Sequence, residues 1–254
     1  ATVIGFALAF AFVAGLYGTP AGRRLTPLLA PFLATPHAAI AIGLAFIIAP
    51  SGWLFRLLAE PLQLSQPPSF ALVGDPMGIG LILGLLLKEI PFLALVMTAS
   101  LGHLPVRRWL IAARSLGYSN ASAWLRVVLP RLWPHIRLPT LIVLSYALSN
   151  VDMALLLGPS NPPVLAVVVL RLYTDPALSS LLTAGAGALL QAGLVLTAFA
   201  GVWLMERLIT VTGRIWLRRG GRDRFVTPLL AMGRVGVRVL FALGGMVITA
   251  LLVW

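Results

Sequence analysis

Apolar residues in this chain come in long unbroken runs, not in the alternation of a half-buried strand or the one-sided stripe of a surface helix. The runs cover 2–16, 28–50, 77–101, 137–158, 182–206 and 237–254. A helix that crosses a bilayer needs ~20 such residues, so the pattern predicts six spans and an all-α, polytopic transmembrane helical bundle. Prolines punctuate it: Pro31 and Pro36 fall in the second run, Pro91 in the third, and Pro139 opens the fourth. Each removes a backbone donor and kinks its helix, which is tolerated where a neighbour or a cavity satisfies the freed carbonyl. Such kinks suit a moving pathway and equally a bundle that is only shaped by them. Gly80 and Gly84 form a small-xxx-small pair that lets another element approach closely.

The connections alternate in charge. Arg23 and Arg24 follow the first run; Arg107, Arg108, Arg114, Arg126, Arg131 and Arg137 surround the loop after the third. Arg207, Arg214, Arg218, Arg219, Arg222, Arg224, Arg234 and Arg238 follow the fifth, so these three regions hold 16 of the 19 basic residues. Short loops rich in Arg and Lys stay in the cytoplasm, which predicts that these three face inward. The connections 51–76 and 159–181 carry only Arg56 and Arg171 against Glu60, Asp75 and Asp175, and are expected outside. The first helix then starts outside, as expected if an earlier span precedes it. Residues 1–16 resemble the apolar core of a signal peptide but have neither an initiator Met nor a basic stretch before them. They are read as a span.

Composition agrees with the bilayer. The 254 residues are 59% apolar and 10% charged, with a mean hydropathy of +0.98, outside the range of soluble domains. A net charge of +12 raises nucleic acid as a partner, but its basic residues lie between spans and not on a folded face interleaved with polar groups. No nucleic-acid partner is expected. The absence of cysteine removes disulfides and thiolate chemistry.

The segment 104–136 is too long for a simple turn between helices and reads as two short helices. The first, from about Val106 to Leu116, ends at Gly117, the residue best able to close a helix in the left-handed conformation. The second starts near Ser119 or Asn120, both good N-caps, and runs to Leu129 before Pro130. Such a knob, with a small apolar tip at Ala112 and Ala113 and basic residues around it, suits a groove on a partner.

The order Ala112-Ala113, three residues, Gly117, nine residues, Val127, one residue, Leu129-Pro130 resembles the "EAA" loop of permease subunits of type I, binding-protein-dependent ABC importers. The family's usual Glu is Ile111 here, which removes one polar group from that contact and fits one half of a fused permease whose two loops have diverged. Thr35-Pro36-His37-Ala38, Glu89-Ile90-Pro91-Phe92, Leu144-Ser145-Tyr146 and Leu155-Leu156-Leu157-Gly158 are similar to stretches of the two-half permeases of the thiamine, ferric-iron and polyamine importer group.

The resemblance implies a type I importer fold with a cytoplasmic helix-turn-helix coupling loop. Residues 1–208 would be a first permease half lacking its first helix. Residues 209–236 would be a basic interfacial linker containing Trp216, Leu217, Phe225, Leu229 and Leu230, and residues 237–254 would open a second half. It implies an ABC ATPase dimer gripping Ile111, Ala112, Ala113, Arg114, Ser115, Leu116, Gly117, Tyr118, Val127, Leu129 and Pro130. It also implies an extracytoplasmic solute-binding protein, a second permease half in the same chain or a homodimer, and residence in the bacterial inner membrane. The 254 residues contain no Gly-x-x-x-x-Gly-Lys-Ser/Thr phosphate loop, so ATP and Mg are expected in the separate ATPase, and no cofactor in this chain.

Ionisable residues inside a membrane usually face a cavity or a partner. Lys88 and Glu89 lie mid-span, about 100° apart on the helix, and cannot pair well with each other. Ser149, Asn150 and Asp152 place polar groups near the outer end of the fourth run. These five either line a translocation pathway or gate, or lock helices together, with Lys88–Asp152 as a candidate ion pair. His37, His103 and His135 lack metal-site spacing, and no metal site or catalytic group is expected. An ion-coupled secondary transporter or channel using Lys88, Glu89 and Asp152 is the other reading. It accounts for the charges and leaves the helix–glycine–helix loop unexplained. An intramembrane enzyme lacks converging catalytic residues.

Overall fold

A computed structural model of the chain describes residues 1–59, 61, 63, 66 and 71–218, with side chains as far as 211 outside those gaps. The expected linker beyond 218 and the sixth run, 237–254, lie outside the described residues, as does Glu60. Twelve helices make up the described part: α1 (Thr2–Leu16), α2 (Pro20–Leu25), α3 (Ala30–Ala34), α4 (His37–Ile48), α5 (Trp53–Ala59), α6 (Ile79–Gly102), α7 (Val106–Ser115), α8 (Asn120–Ala123), α9 (Leu129–Ser149), α10 (Asp152–Leu157), α11 (Leu165–Tyr173) and α12 (Leu178–Arg218). A 3-10 turn, Pro27–Leu29, leads into α3, and a π-helical turn, Trp124–Val128, joins α8 to α9.

Among the described residues, four stretches are long and apolar enough to cross a membrane: His37–Ala59, Ile79–Gly102, Asn120–Ser149 and Leu178–Val211. Thr2–Leu16 is apolar but shorter. The bundle is built around α6, whose Leu87, Ile90, Leu93, Ala94 and Met97 are all buried and which packs against α1, α3, α4, α9 and α10. Asp75 starts it: its two carboxylate oxygens accept the amides of Ile79 and Gly80 at 2.9 and 3.1 Å, occupying donors that a helix start leaves open.

Three expected boundaries move. The second span, read as 28–50, is broken at Thr35-Pro36, and the membrane-length stretch begins at His37. Pro36 has no N–H to continue α3, and Thr35 turns extended before it, with φ −68° and ψ 131°. The fourth span, read as 137–158, begins much earlier and ends at Ser149, with α10 as a separate piece after Asn150. Pro139 therefore lies inside α9 and does not open a span. The fifth span, read as 182–206, lies within a longer helix that runs from Leu178 to Arg218.

Gly80 and Gly84 serve close approach, but not of another long helix. A Cβ on Gly84 would sit 2.6 Å from Leu157 Cδ1, and one on Gly80 would collide with the Leu72 carbonyl. The pair admits α10 and the connection that precedes α6.

Candidate functional site

The two-helix reading of the loop gains a defined geometry. After α7, Gly117 takes φ +81°; its N–H donates to the Arg114 carbonyl at 2.9 Å, and that of Tyr118 donates to Ala113 at 3.1 Å. The wrap-around turn closes the last carbonyls of α7. Ser119 then caps α8, its Oγ accepting the Ser122 amide at 3.2 Å. The Arg114 guanidinium reaches Asn120 Oδ1 at 3.1 Å, bracing the turn from outside.

The second helix does not stop before Pro130. Through Trp124–Val128 the chain adopts the wider π turn, with the Leu129 N–H donating to the Trp124 carbonyl five residues back. Pro130, which has no N–H, follows at the start of α9. A π turn shifts the hydrogen-bond register by one residue, and here it lets the helix pass a proline that would otherwise end it. The hairpin and the span Asn120–Ser149 are thus one continuous helical piece. Trp124, 1% exposed, anchors this junction, with Phe10 and Tyr17 of the α1 region edge-on to its ring at 6.0 and 5.4 Å.

The tip is not the pair Ala112–Ala113. Ala113 is buried at 3% exposure, because α7 packs on α8 and the π turn and only a small side chain fits between them. The face turned outward carries Ile111 (56% exposed) and Leu116 (69%), with Ala112, Ser115 and Gly117 also exposed. Ile111 and Ser115, and Ala112 and Leu116, are four apart and share that face. Tyr118 is half-buried and lies against the Arg126 guanidinium, 5.9 Å from its ring centre. Val127 and Leu129 are half-buried and Pro130 exposed at the junction with α9. Arg131 stacks on Trp109 at 4.7 Å, tying α7 to α9.

The intramembrane groups separate into distinct jobs. Lys88 donates to three main-chain carbonyls, Phe32 at 2.9 Å, Leu33 at 3.1 Å and Thr35 at 2.7 Å. Pro36 cannot supply the amide that Phe32 would accept in a continuous helix, and the ammonium takes its place. The ion pair proposed for Lys88 and Asp152 is not formed. Glu89, buried at 4% exposure, faces α1, where Thr2 Oγ1 donates to its Oε1 at 3.2 Å and Gly5 leaves room for it.

Asn150 is a cap: its Oδ1 accepts the Met153 amide at 2.7 Å at the start of α10. Ser149 donates back to the Ser145 carbonyl at 2.8 Å. Asp152 is exposed in the first turn of α10. It lies within electrostatic range of His37, as Lys88 does too, and of Tyr146; the rings of His37 and Tyr146 are 4.6 Å apart. Thus Lys88 and Glu89 bond to different neighbours, while His37 lies within range of both Lys88 and Asp152, a grouping that no sequence spacing announced. Also missed was Glu206, which accepts the Trp133 indole N–H at 2.8 Å and lies 3.6 Å from Arg137. The i, i+4 spacing of Trp133 and Arg137 was its available signal.

No family model matches the chain. It is similar to the inner membrane ABC transporter permease protein YnjC of Escherichia coli (strain K12), 32% identical over 231 residues, which is 91% of this chain and 43% of that protein. The chain therefore spans less than half the length of this curated relative. With four membrane-length helices among the described residues and this likeness along nine-tenths of its sequence, the chain is a multi-pass helical protein of the inner membrane, similar in architecture to an ABC transporter permease.

Proposed function

We propose that the chain is a translocation subunit, not an enzyme, of an ATP-driven solute importer, and that it couples to a separate ATPase through the hairpin Val106–Pro130. The observation that carries this reading is the hairpin itself. It presents an apolar face at Ile111, Ala112 and Leu116, is closed by a left-handed glycine, and is continuous with a membrane-length helix. An exposed apolar knob suits a groove on a partner, and a rigid join to a span gives a push at the knob somewhere to go.

In this reading an ABC ATPase dimer on the cytoplasmic side holds ATP and Mg, and an extracytoplasmic solute-binding protein delivers the solute. A second permease half, in the same polypeptide or as a second copy, completes the pathway. Resemblance to the thiamine, ferric-iron and polyamine importers supports the importing direction. Lys88 is occupied with backbone carbonyls and Glu89 with α1, which weighs against an ion-coupled carrier built on both.

Site-specific crosslinking tests it. The chain has no cysteine, so Leu116→Cys gives a single reporter on the outward face, where the buried Ala113 would not. A nucleotide-sensitive crosslink to a co-expressed ATPase is expected. A folded, labelled protein that crosslinks to no ATPase would overturn the reading.

A further inference from the structure

Helix α12 is attached to the rest of the bundle in an uneven way. Its apolar side chains are turned outward along most of its length, Leu182, Leu189, Leu196 and Trp203 among them. In a bilayer such surface is as well solvated by lipid as by another helix, so apolar contact alone does not fix where a helix sits. Interhelical polar contacts do. Besides its packing on α11 and α9, α12 is joined to α9 by polar contacts at two places among the described residues.

At the basic end, Glu206 accepts the Trp133 Nε1–H at 2.8 Å through Oε1, and its Oε2 lies 3.6 Å from Arg137 Nη1. Trp133 is itself held edge-on by Phe6 of α1 at 5.6 Å. At the other end, Gln191 Nε2 donates to the Leu148 carbonyl at 2.6 Å, in the last turn of α9, where carbonyls lack helical partners. The two contacts are fifteen residues apart on both helices, so each helix is pinned at two points ~22 Å apart. The pinned partner, α9, is the helix that runs without interruption into the hairpin.

We propose that Glu206 is a positioning residue that makes α12 travel with α9 as one body, so that displacement of the hairpin reaches α12. This rests on the coupling reading above. The carboxylate suits the task because it receives an indole and a guanidinium at once, from residues one helical turn apart. Glutamine keeps an oxygen for Trp133 and loses the charge facing Arg137; leucine loses both.

The test uses the complete transporter, permease with its ATPase in lipid nanodiscs, carrying one reporter at a time: Ile142→Cys on α9 or Leu196→Cys on α12. Both positions are exposed. A nitroxide spin label is attached to each cysteine in detergent before reconstitution, and its mobility is followed with and without ATP plus vanadate. With Glu206 intact, nucleotide changes the mobility of the label at both positions. In Glu206→Leu and in Trp133→Phe, which keeps a ring for Phe6, the change at Ile142→Cys persists. The change at Leu196→Cys falls by about threefold, the scale of one interhelical hydrogen bond, with the Gln191 contact still in place. Glu206→Gln keeps most of the response.

The persisting response on α9 controls for folding. An undiminished response at Leu196→Cys in both variants overturns the inference. So does loss at both reporters, which would make Glu206 a general support of the bundle. Silence at both reporters with Glu206 intact defeats the coupling reading itself, and the inference falls with it.

Discussion

The Lys88 ammonium lies 2.7 Å from the main-chain oxygen of Thr35 and donates to it, across fifty-three residues of sequence. The same group serves Phe32 and Leu33, so one buried cation closes the end of α3 where Pro36 interrupts the backbone. A cation at a helix C-terminus also opposes the negative end of the helix dipole. The break at 35–36 and the charge in α6 are one feature, and neither explains itself alone.

Lys88→Met keeps the length of the side chain and removes the donor. It is expected to cost about 1–3 kcal/mol, the penalty for a buried acceptor left without a partner, seen as a lower unfolding midpoint in detergent. Asp152→Asn, at an exposed position, is expected to change the midpoint by no more than about 0.5 kcal/mol. Equal losses in the two variants would show that Lys88 and Asp152 depend on each other after all.

Gly84 tests the packing of α10. Its Cβ position is 2.6 Å from Leu157 Cδ1, with Met153 Sδ at 3.5 Å. Gly84→Val is expected to destabilise by about 1–3 kcal/mol through overpacking. Gly102→Ala, with nothing within 4 Å of the new atom, is expected to be neutral or mildly stabilising, since alanine favours helix. Thermal unfolding of the two variants side by side decides it.

Much of this was readable from local chemistry. Runs of apolar residues found the four membrane-length helices, though not their ends, because the bilayer demands them, and Gly117 and Ser119 marked the hairpin turn because few residues can take those two positions. Pro36 and Pro130 look alike in the sequence and behave differently. At Pro36 the chain breaks and a lysine from α6 satisfies the freed carbonyl; at Pro130 a π turn absorbs the missing donor and the helix goes on. That difference depends on what packs nearby. Ala113 is the same kind of case: a small residue in a short helix reads equally as an outward tip or an inward contact, and burial against α8 decides. Glu206 stood at the edge of an apolar run, and the one-turn spacing of Trp133 and Arg137 does not by itself point to a carboxylate seventy-three residues from the tryptophan.

Gly117→Ala asks how far the hairpin depends on its turn. At φ +81° an alanine pays about 1–2 kcal/mol for the left-handed conformation. The cost is local, so faster amide hydrogen exchange is expected in 106–120 with little change in α6. Uniformly faster exchange across the bundle would mean that the turn holds more than the hairpin.

The hairpin's two kinds of apolar residue should part cleanly under mutation. Ala113 is buried between α7 and the helical piece that follows, whereas Leu116 is 69% exposed. Ala113→Leu forces a larger side chain into a filled space and is expected to lower stability by about 1–3 kcal/mol, with ATPase association lost only as far as the hairpin unfolds. Leu116→Ser removes an apolar group from the surface, so stability should stay within about 0.5 kcal/mol while co-purification of the ATPase drops. The two variants thus move opposite quantities, one the unfolding midpoint and the other the partner. If Leu116→Ser left ATPase retention intact while Ala113→Leu abolished it in a fully folded protein, the contact surface would have to be the buried side of α7. The hairpin would then open when it docks.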